Sequence, residues 1–428
     1  MTDSSSTSLL ARRQRSLGPA YRLFYDDPLQ IVKGEGVWLT DVDGRRYLDM
    51  YNNVPHVGHC HPRVVGAIRE QVGLLNTHTR YLHEGIVDYA ERLLATFPES
   101  LSVAMFSCTG SEANELALRV ARAATGASGI IVIEDAYHGT SQVAFEISTE
   151  DNPRELWPAH LEAVPAPNAY AGEYQGRDAG AAYAQLVSQA IDRLAERGYA
   201  PAAFVIDTIA SSSGVIELPG GYLRLAADAV RAAGGVFIAD EVQPGFGRTG
   251  RNFWGFESAG VVPDIVTLGK PMANGHPVAA TILRRPLIDS FAERFGYFNT
   301  FGGNPVSAAA AAATLDVVEE EELQQNALVV GDQLRAAIAA LVPKYPMIGD
   351  VRGHGLFLGI DLVDDPESKR PATQRAKRIV NRLRSLGVLT NTIGPAANVL
   401  KLRPPLCFSR QDAEYFMERL ITALSAER

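Results

Sequence analysis

Gly235-Val-Phe-Ile-Ala-Asp240-Glu241-Val-Gln243 and Asp264-Ile-Val-Thr-Leu-Gly-Lys270 decide the fold, because each is a short apolar run that ends on a residue able to do chemistry. Short runs of this kind, bounded by glycine and proline, are expected to be buried parallel strands. Asp240 and Lys270 then sit at carboxyl ends, where open α/β sheets bind ligands. A lysine in such a crevice can form a Schiff base with an aldehyde cofactor. A nearby aspartate can keep the ring nitrogen of pyridoxal phosphate protonated, so that the ring acts as an electron sink. An Asp-Lys ion pair at a sheet edge fits this stretch equally well when it is taken alone.

Outward from these strands the pattern repeats. Ala-Ala-Phe-Val-Ile-Asp207 precedes them and Pro-Val-Ala-Ala-Thr-Ile-Leu283 follows. Earlier still, Val-Ala-Met-Phe-Ser107 leads into Cys-Thr-Gly110-Ser111-Glu112 and a helix with apolar residues at 113, 116, 117, 120, 121 and 124. Gly110 admits close backbone approach, and the free N–H groups at the helix start, with the Ser111 hydroxyl, form an anion site. Gly-Ile-Ile-Val-Ile133 is another strand, and its exit loop carries Tyr137-His138-Gly139, where an aromatic ring can stack on a planar ligand. Alternation of strands and helices predicts an α/β fold with a large doubly wound, mixed or parallel sheet.

The ends of the chain read differently. A helical stretch around Leu9 to Leu17 precedes a hairpin turned by Asp41-Val-Asp-Gly44, and residues from about 315 alternate helices with short strands. The expected organisation is an N-terminal arm and hairpin at 1–60, a large domain at 61–314 and a C-terminal small α+β domain at 315–428, the two ends forming one unit. His56, His59, Cys60 and His61 have the chemistry of zinc ligands, but no second cluster stands at zinc-site spacing, so they are read as a loop and no metal is expected. The glutamates at 319–322 are expected to form a solvated face.

At 428 residues and 46% apolar composition, the chain can bury a sizeable core. A formal charge of −9 with no long basic block argues against nucleic acid or an anionic membrane and for a small-molecule ligand. Three scattered cysteines suit reduced thiols, and the polar Met-Thr-Asp-Ser-Ser-Ser start lacks an export signal, so a cytoplasmic location is expected.

Gly-Ser-Glu-Ala-Asn at 110–114, Tyr137-His138-Gly139, Asp240-Glu241-Val-Gln243, Lys270 and Thr300-Phe-Gly-Gly-Asn-Pro together resemble the class III aminotransferases, a fold type I pyridoxal-phosphate family. The resemblance extends over nearly all of the chain from about residue 20. It implies that Lys270 carries pyridoxal 5'-phosphate, Asp240 pairs with its ring nitrogen, Tyr137 stacks on the ring and Gln243 lies near the ring hydroxyl. Gly110 and Ser111 would bind the cofactor phosphate, with Thr300 arriving from a second subunit. A homodimer with composite active sites follows, alone or paired into a tetramer.

Two departures bear on the reaction. Family members that use glutamate or 2-oxoglutarate carry a Glu-Pro-x-x-Gly-Glu-x-Gly run whose second glutamate pairs with an arginine. Here the run is Asp207-Thr-Ile-Ala-Ser-Ser212-Ser-Gly214, and Lys401 stands where the arginine is expected. Lysine lacks the bidentate fork that grips a carboxylate. Stretches 52–62, 76–83, 269–277 and 404–408 instead resemble the ethanolamine-phosphate phospho-lyase branch. The expected reaction is elimination of phosphate from an amino phosphate such as O-phosphoethanolamine, giving acetaldehyde and ammonia. Lys401 and Arg403, with Tyr51, Asn52 and Asn53 opposite, are the candidates to hold the substrate phosphate. An ω-aminotransferase acting on a carboxylate-free amine with pyruvate is the competing expectation, and a cofactor-free binding or scaffold member of the fold is a third.

Overall fold

A computed structural model describes residues 3–427, with side chains from Leu9 onward. Its centre is a seven-stranded sheet in the order Val103–Ser107, Ala279–Leu283, Ile265–Leu268, Val236–Asp240, Pro201–Asp207, Gly129–Ile133, Leu161–Val164. Only Ala279–Leu283 runs against the rest, so the sheet is mixed as expected. Five of its strands, Gly129–Ile133, Pro201–Asp207, Val236–Asp240, Ile265–Leu268 and Ala279–Leu283, are buried along their whole length, because helices cover both faces. That double burial is why their sequences are continuous apolar runs rather than alternating ones.

Register fixes the chemistry. Asp207 pairs with Asp240, and Asp240 with Thr267, so three polar residues from neighbouring strands form one row at the carboxyl end of the sheet. The Ile265–Leu268 strand stops two residues before Lys270, which lies in the turn that follows.

Two smaller sheets carry the ends of the chain. Ile31–Glu35, Trp38–Asp41 and Arg46–Asp49 form an antiparallel set that Val388–Leu389 extends in parallel, pairing with Leu48 and Asp49. The turn at Asp41 to Gly44 closes the hairpin, with Gly44 at φ +83°. The second sheet runs Ile348–His354, Phe357–Asp365, Val399–Leu402, Asn391–Ile393, and its third strand carries Lys401 and leads into Arg403.

The histidine-rich loop has structural partners. The ring of His56 bridges the Phe246 carbonyl at 2.7 Å and the Arg248 guanidinium at 3.1 Å, while His59 bonds Asp49 at 2.8 Å and His61 bonds Glu321 at 3.1 Å. No group of three metal-ligating side chains is found among the described residues. The glutamate run does more than meet solvent. Glu319 and Glu320, at the end of the Pro305–Glu320 helix, pair with Arg92 and Arg63 and tie it to the Glu84–Leu94 and Pro62–Leu74 helices. Among the described residues no helix is long and apolar enough to cross a membrane.

Candidate active site

A cavity of about 330 Å³ opens at the carboxyl end of the large sheet, and Gly110, Ser111, Tyr137, Asp240, Gln243 and Lys270 all line it. Each arrives from a strand exit or the start of the helix that follows. Thr109 and Glu112 make a reciprocal capping box, which fixes the first turn of the Gly110–Thr125 helix so that Gly110 and Ser111 border the cavity. Opposite, Gly139 adopts φ +141°, and a Cβ there would fall 2.4 Å from the Ser111 hydroxyl. Gly139 is thus required twice, by its backbone conformation and by the close approach. The Thr140 N–H donates to Ser111 Oγ at 3.0 Å and holds the two loops together.

Asp240 is buried and heavily bonded. Its Oδ2 accepts from Asn114 Nδ2 at 2.9 Å and from His138 Nδ1 at 2.8 Å, and its Oδ1 accepts from the Val242 N–H at 3.1 Å. Asn114 is held in turn by the Thr267 hydroxyl at 2.6 Å and the His138 carbonyl at 2.8 Å. Burial pushes the Asp240 carboxyl up, yet these bonds, led by His138, outweigh it and hold the group below the usual aspartate range. The neighbouring Asp207 moves the other way: burial and the Asp240 charge raise it against the Ser211 hydroxyl and the Ile209 and Ser211 amides. Two carboxyls in one row are thereby pushed in opposite directions, with the ionised form favoured at Asp240.

Lys270 has its amine 5.8 Å from the Tyr137 ring centre. Burial lowers its pKa, and the charge of Arg403 lowers it further, which favours a neutral nucleophilic amine.

Lys401 and Arg403 do not line the cavity but meet it through Gln243. Lys401 Nζ donates to Gln243 Oε1 at 3.3 Å, and an Arg403 guanidinium nitrogen donates to the same oxygen. Both side chains are almost wholly buried. The guanidinium lies between two aromatic faces, 5.0 Å from the Tyr51 ring and 5.6 Å from Phe357, and bonds the Tyr51 carbonyl at 3.0 Å. Among the described residues neither cation forms an ion pair with a carboxylate. Burial, then Arg403, drives the Lys401 amine well below the usual lysine range. Asn52 caps its own turn at Val54, whereas Asn53 is buried with a side-chain N–H₂ that has no acceptor. Thr300 is exposed and lies outside the cavity of this chain.

Sequence reasoning did not give Asn114, His138, Thr267 or Phe357 a role. Asn114 left a trace, a polar residue on the buried face of an amphipathic helix; Phe357 left none.

Comparison with known proteins supplies the family. A family model described as Aminotransferase class-III matches residues 24–424. The chain is 44% identical to a Drosophila melanogaster protein named alanine–glyoxylate aminotransferase 2-like, over 99% of this chain and 89% of that one. It is 38% identical to the Caenorhabditis elegans ethanolamine-phosphate phospho-lyase homolog 1, over 95% and 91% respectively. Among solved structures, a phospholyase from Arthrobacter in complex with phosphoethanolamine superposes with a TM-score of 0.94 at 43% identity, covering 98% of this chain and 99% of that one.

Proposed function

Because the chain belongs to the class-III aminotransferase family, whose members bind pyridoxal phosphate, we propose that it is a pyridoxal-phosphate-dependent lyase that releases phosphate from O-phosphoethanolamine or a closely similar amino phosphate. The residues suit the cofactor: a buried amine and a buried carboxylate share one cavity, and the Ser111–Gly139 approach forms a cradle at a helix start. When bound there, pyridoxal phosphate supplies an electron sink for the charge left by proton loss next to the substrate nitrogen. Lys270 is its point of attachment, and Asp240 is the charged partner for the ring nitrogen.

The observation that carries the lyase reading is the pair Lys401 and Arg403, two buried basic side chains that share one neutral acceptor, Gln243, and make no direct ion pair with a carboxylate, although the charges of Asp207 and Glu150 act on Lys401. Burial and the repulsion of Arg403 disfavour charge on Lys401, and a ligand that brings its own anion favours the charged form of both side chains. Ser212 stands where a gating glutamate would be, and the carboxylate that acts on Lys401 from this side is Glu150, which bonds Ser212. A phosphate monoester supplies the missing charge. Freed from the cofactor, the Lys270 amine is suited to take the proton from the carbon that bears nitrogen, and phosphate leaves from the neighbouring carbon. Together with water, one O-phosphoethanolamine then yields one acetaldehyde, one ammonia and one phosphate. Lys401 and Arg403, which meet the cavity through Gln243, and Asn53, whose buried N–H₂ has no acceptor, are the candidates to hold the departing phosphate.

The second reading is an ω-aminotransferase, favoured by the 44% identity to the aminotransferase-named relative. One incubation separates them: enzyme, cofactor and O-phosphoethanolamine with no keto acid. Equal release of phosphate and acetaldehyde over many turnovers is expected. No release, with alanine formed from an amine plus pyruvate, establishes the aminotransferase instead.

A further inference from the structure

Away from the cavity just described, a second hollow of about 250 Å³ lies between the Gly110–Thr125 helix and the segment around the end of the Arg285–Ala292 helix. Arg119 and Arg122 project from one face of the first helix, three positions apart, and Arg294 faces them from the second segment. Phe291 forms a buried apolar wall and Phe295 a half-exposed one. No residue lines both hollows.

Three arginines gather at this hollow although the chain is acidic overall. Its formal charge is −9, yet among the described residues none of these three guanidinium groups forms an ion pair. Arg119 lies 5.6 Å from the Phe291 ring and Arg294 5.3 Å from the Phe295 ring. Arg122 donates to His160 Nε2 at 3.1 Å, and its own Nε–H is buried with no acceptor. Like charges on adjacent helical turns repel, and a buried donor left unpaired is costly. A bound anion relieves both. Guanidinium groups suit phosphate oxygens through paired N–H donors, and the two phenyl walls suit a flat ring.

We propose that this hollow is a binding site for a nucleotide, with the phosphate held by Arg119, Arg122 and Arg294 and the base against Phe291 and Phe295. The site is separate from the catalytic cavity, so its occupancy is independent of which reaction the enzyme performs.

Calorimetric titration of the holoenzyme in its native oligomeric state tests this, with AMP, ATP and inorganic phosphate as probes. Saturable binding of AMP or ATP at one site per chain is expected, weaker in high salt. Arg119→Ala and Arg294→Ala, both at exposed positions, should each weaken it about tenfold, the effect of losing one charge-assisted hydrogen bond, while turnover of the amine substrate stays unchanged. Absence of saturable nucleotide binding overturns the proposal. So does inorganic phosphate binding as tightly as AMP, because the aromatic walls then recognise nothing. Nucleotide binding that survives both arginine substitutions, or that competes with substrate, places the site elsewhere and overturns it equally.

Discussion

At Asp240 burial and hydrogen bonding pull in opposite directions, and the bonds win because three donors converge on one carboxylate. Asp240→Asn keeps the shape but removes the charge that would hold a proton on a bound pyridine ring. We expect it to fold normally and lose about a hundredfold or more in kcat, ~3 kcal/mol of transition-state stabilisation. Asn114→Ala removes one of those donors and strands the Thr267 hydroxyl, so a smaller loss of about tenfold and a destabilisation of about 1–3 kcal/mol are expected. Steady-state rates and thermal unfolding of the two variants check the ranking; near-normal turnover in Asp240→Asn contradicts it. The adjacent Glu241 points the other way along the strand exit, where Thr208 and the Gly255 and Phe256 amides bond it at 2.8–2.9 Å. Burial nevertheless pushes its carboxyl up to about 8 from the usual 4.5. The folded protein then holds a proton that the unfolded chain releases near pH 4.5. Stability contributed by this group is full below that pH and is lost as pH rises toward 8. Unfolding temperatures measured at pH 5 and pH 8 should differ less in Glu241→Gln than in the parent protein. An unchanged pH difference means that Glu241 is ionised in the fold.

The elements that were legible are those buried on both faces. Gly129–Ile133, Pro201–Asp207, Val236–Asp240 and Ile265–Leu268 announce themselves as uninterrupted apolar runs because no side of them meets water. The Leu161–Val164 edge strand was not legible, since Glu162 interrupts it and serves Arg193 and Arg197. Nor was the Ala179–Glu196 helix, whose buried Tyr183, Val187, Ala190 and Leu194 are masked by alanines around the cylinder. Ile31–Glu35 is largely exposed and gives no alternation to read. The same logic divides the site. Residues at strand exits could be placed from sequence, because strand ends and ligand crevices coincide. The meeting of Gln243 with Lys401 and Arg403 could not, because it depends on how Val399–Leu402 pairs with Phe357–Asp365 far along the chain. Gly139 is the test at this scale. In Gly139→Ala the new methyl would strike Ser111 and the backbone would be strained at φ +141°. We expect cofactor affinity to fall about tenfold or more, ~1.4 kcal/mol per tenfold, while the fold persists. Absorbance titration with pyridoxal phosphate measures it, and an undiminished affinity shows that the Ser111 cradle does not hold the cofactor.

For the whole molecule, the unanswered demand is an apolar surface on which Thr300 lies. Leu74, Tyr81, Leu82, Phe298 and Phe301 are large apolar side chains left substantially exposed. Two of their segments are joined by aromatic contact, His78 stacking on Tyr81 and meeting Phe298 edge-on, with Arg80 3.9 Å from the Phe298 ring. Exposed groupings of this kind mark interaction surfaces, because leaving so much apolar area in water is unfavourable. Thr300 lies between Phe298 and Phe301 and reaches nothing in its own chain's cavity. A second copy of this chain is the occupant we expect, since it would cover the apolar surface and bring each Thr300 to the neighbouring cavity. A Leu82→Asp, Phe301→Asp double variant places two charges on that surface without touching the buried core. Light scattering should report a dimer or larger assembly for the parent protein and a monomer for the variant. The monomer should fold, retain cofactor poorly and turn over substrate at a small fraction of the parent rate. Thr300→Val separates the two roles: it should stay dimeric yet bind cofactor more weakly. A parent protein that is monomeric and fully active, or a double variant that still dimerises, shows that this surface is not the interface.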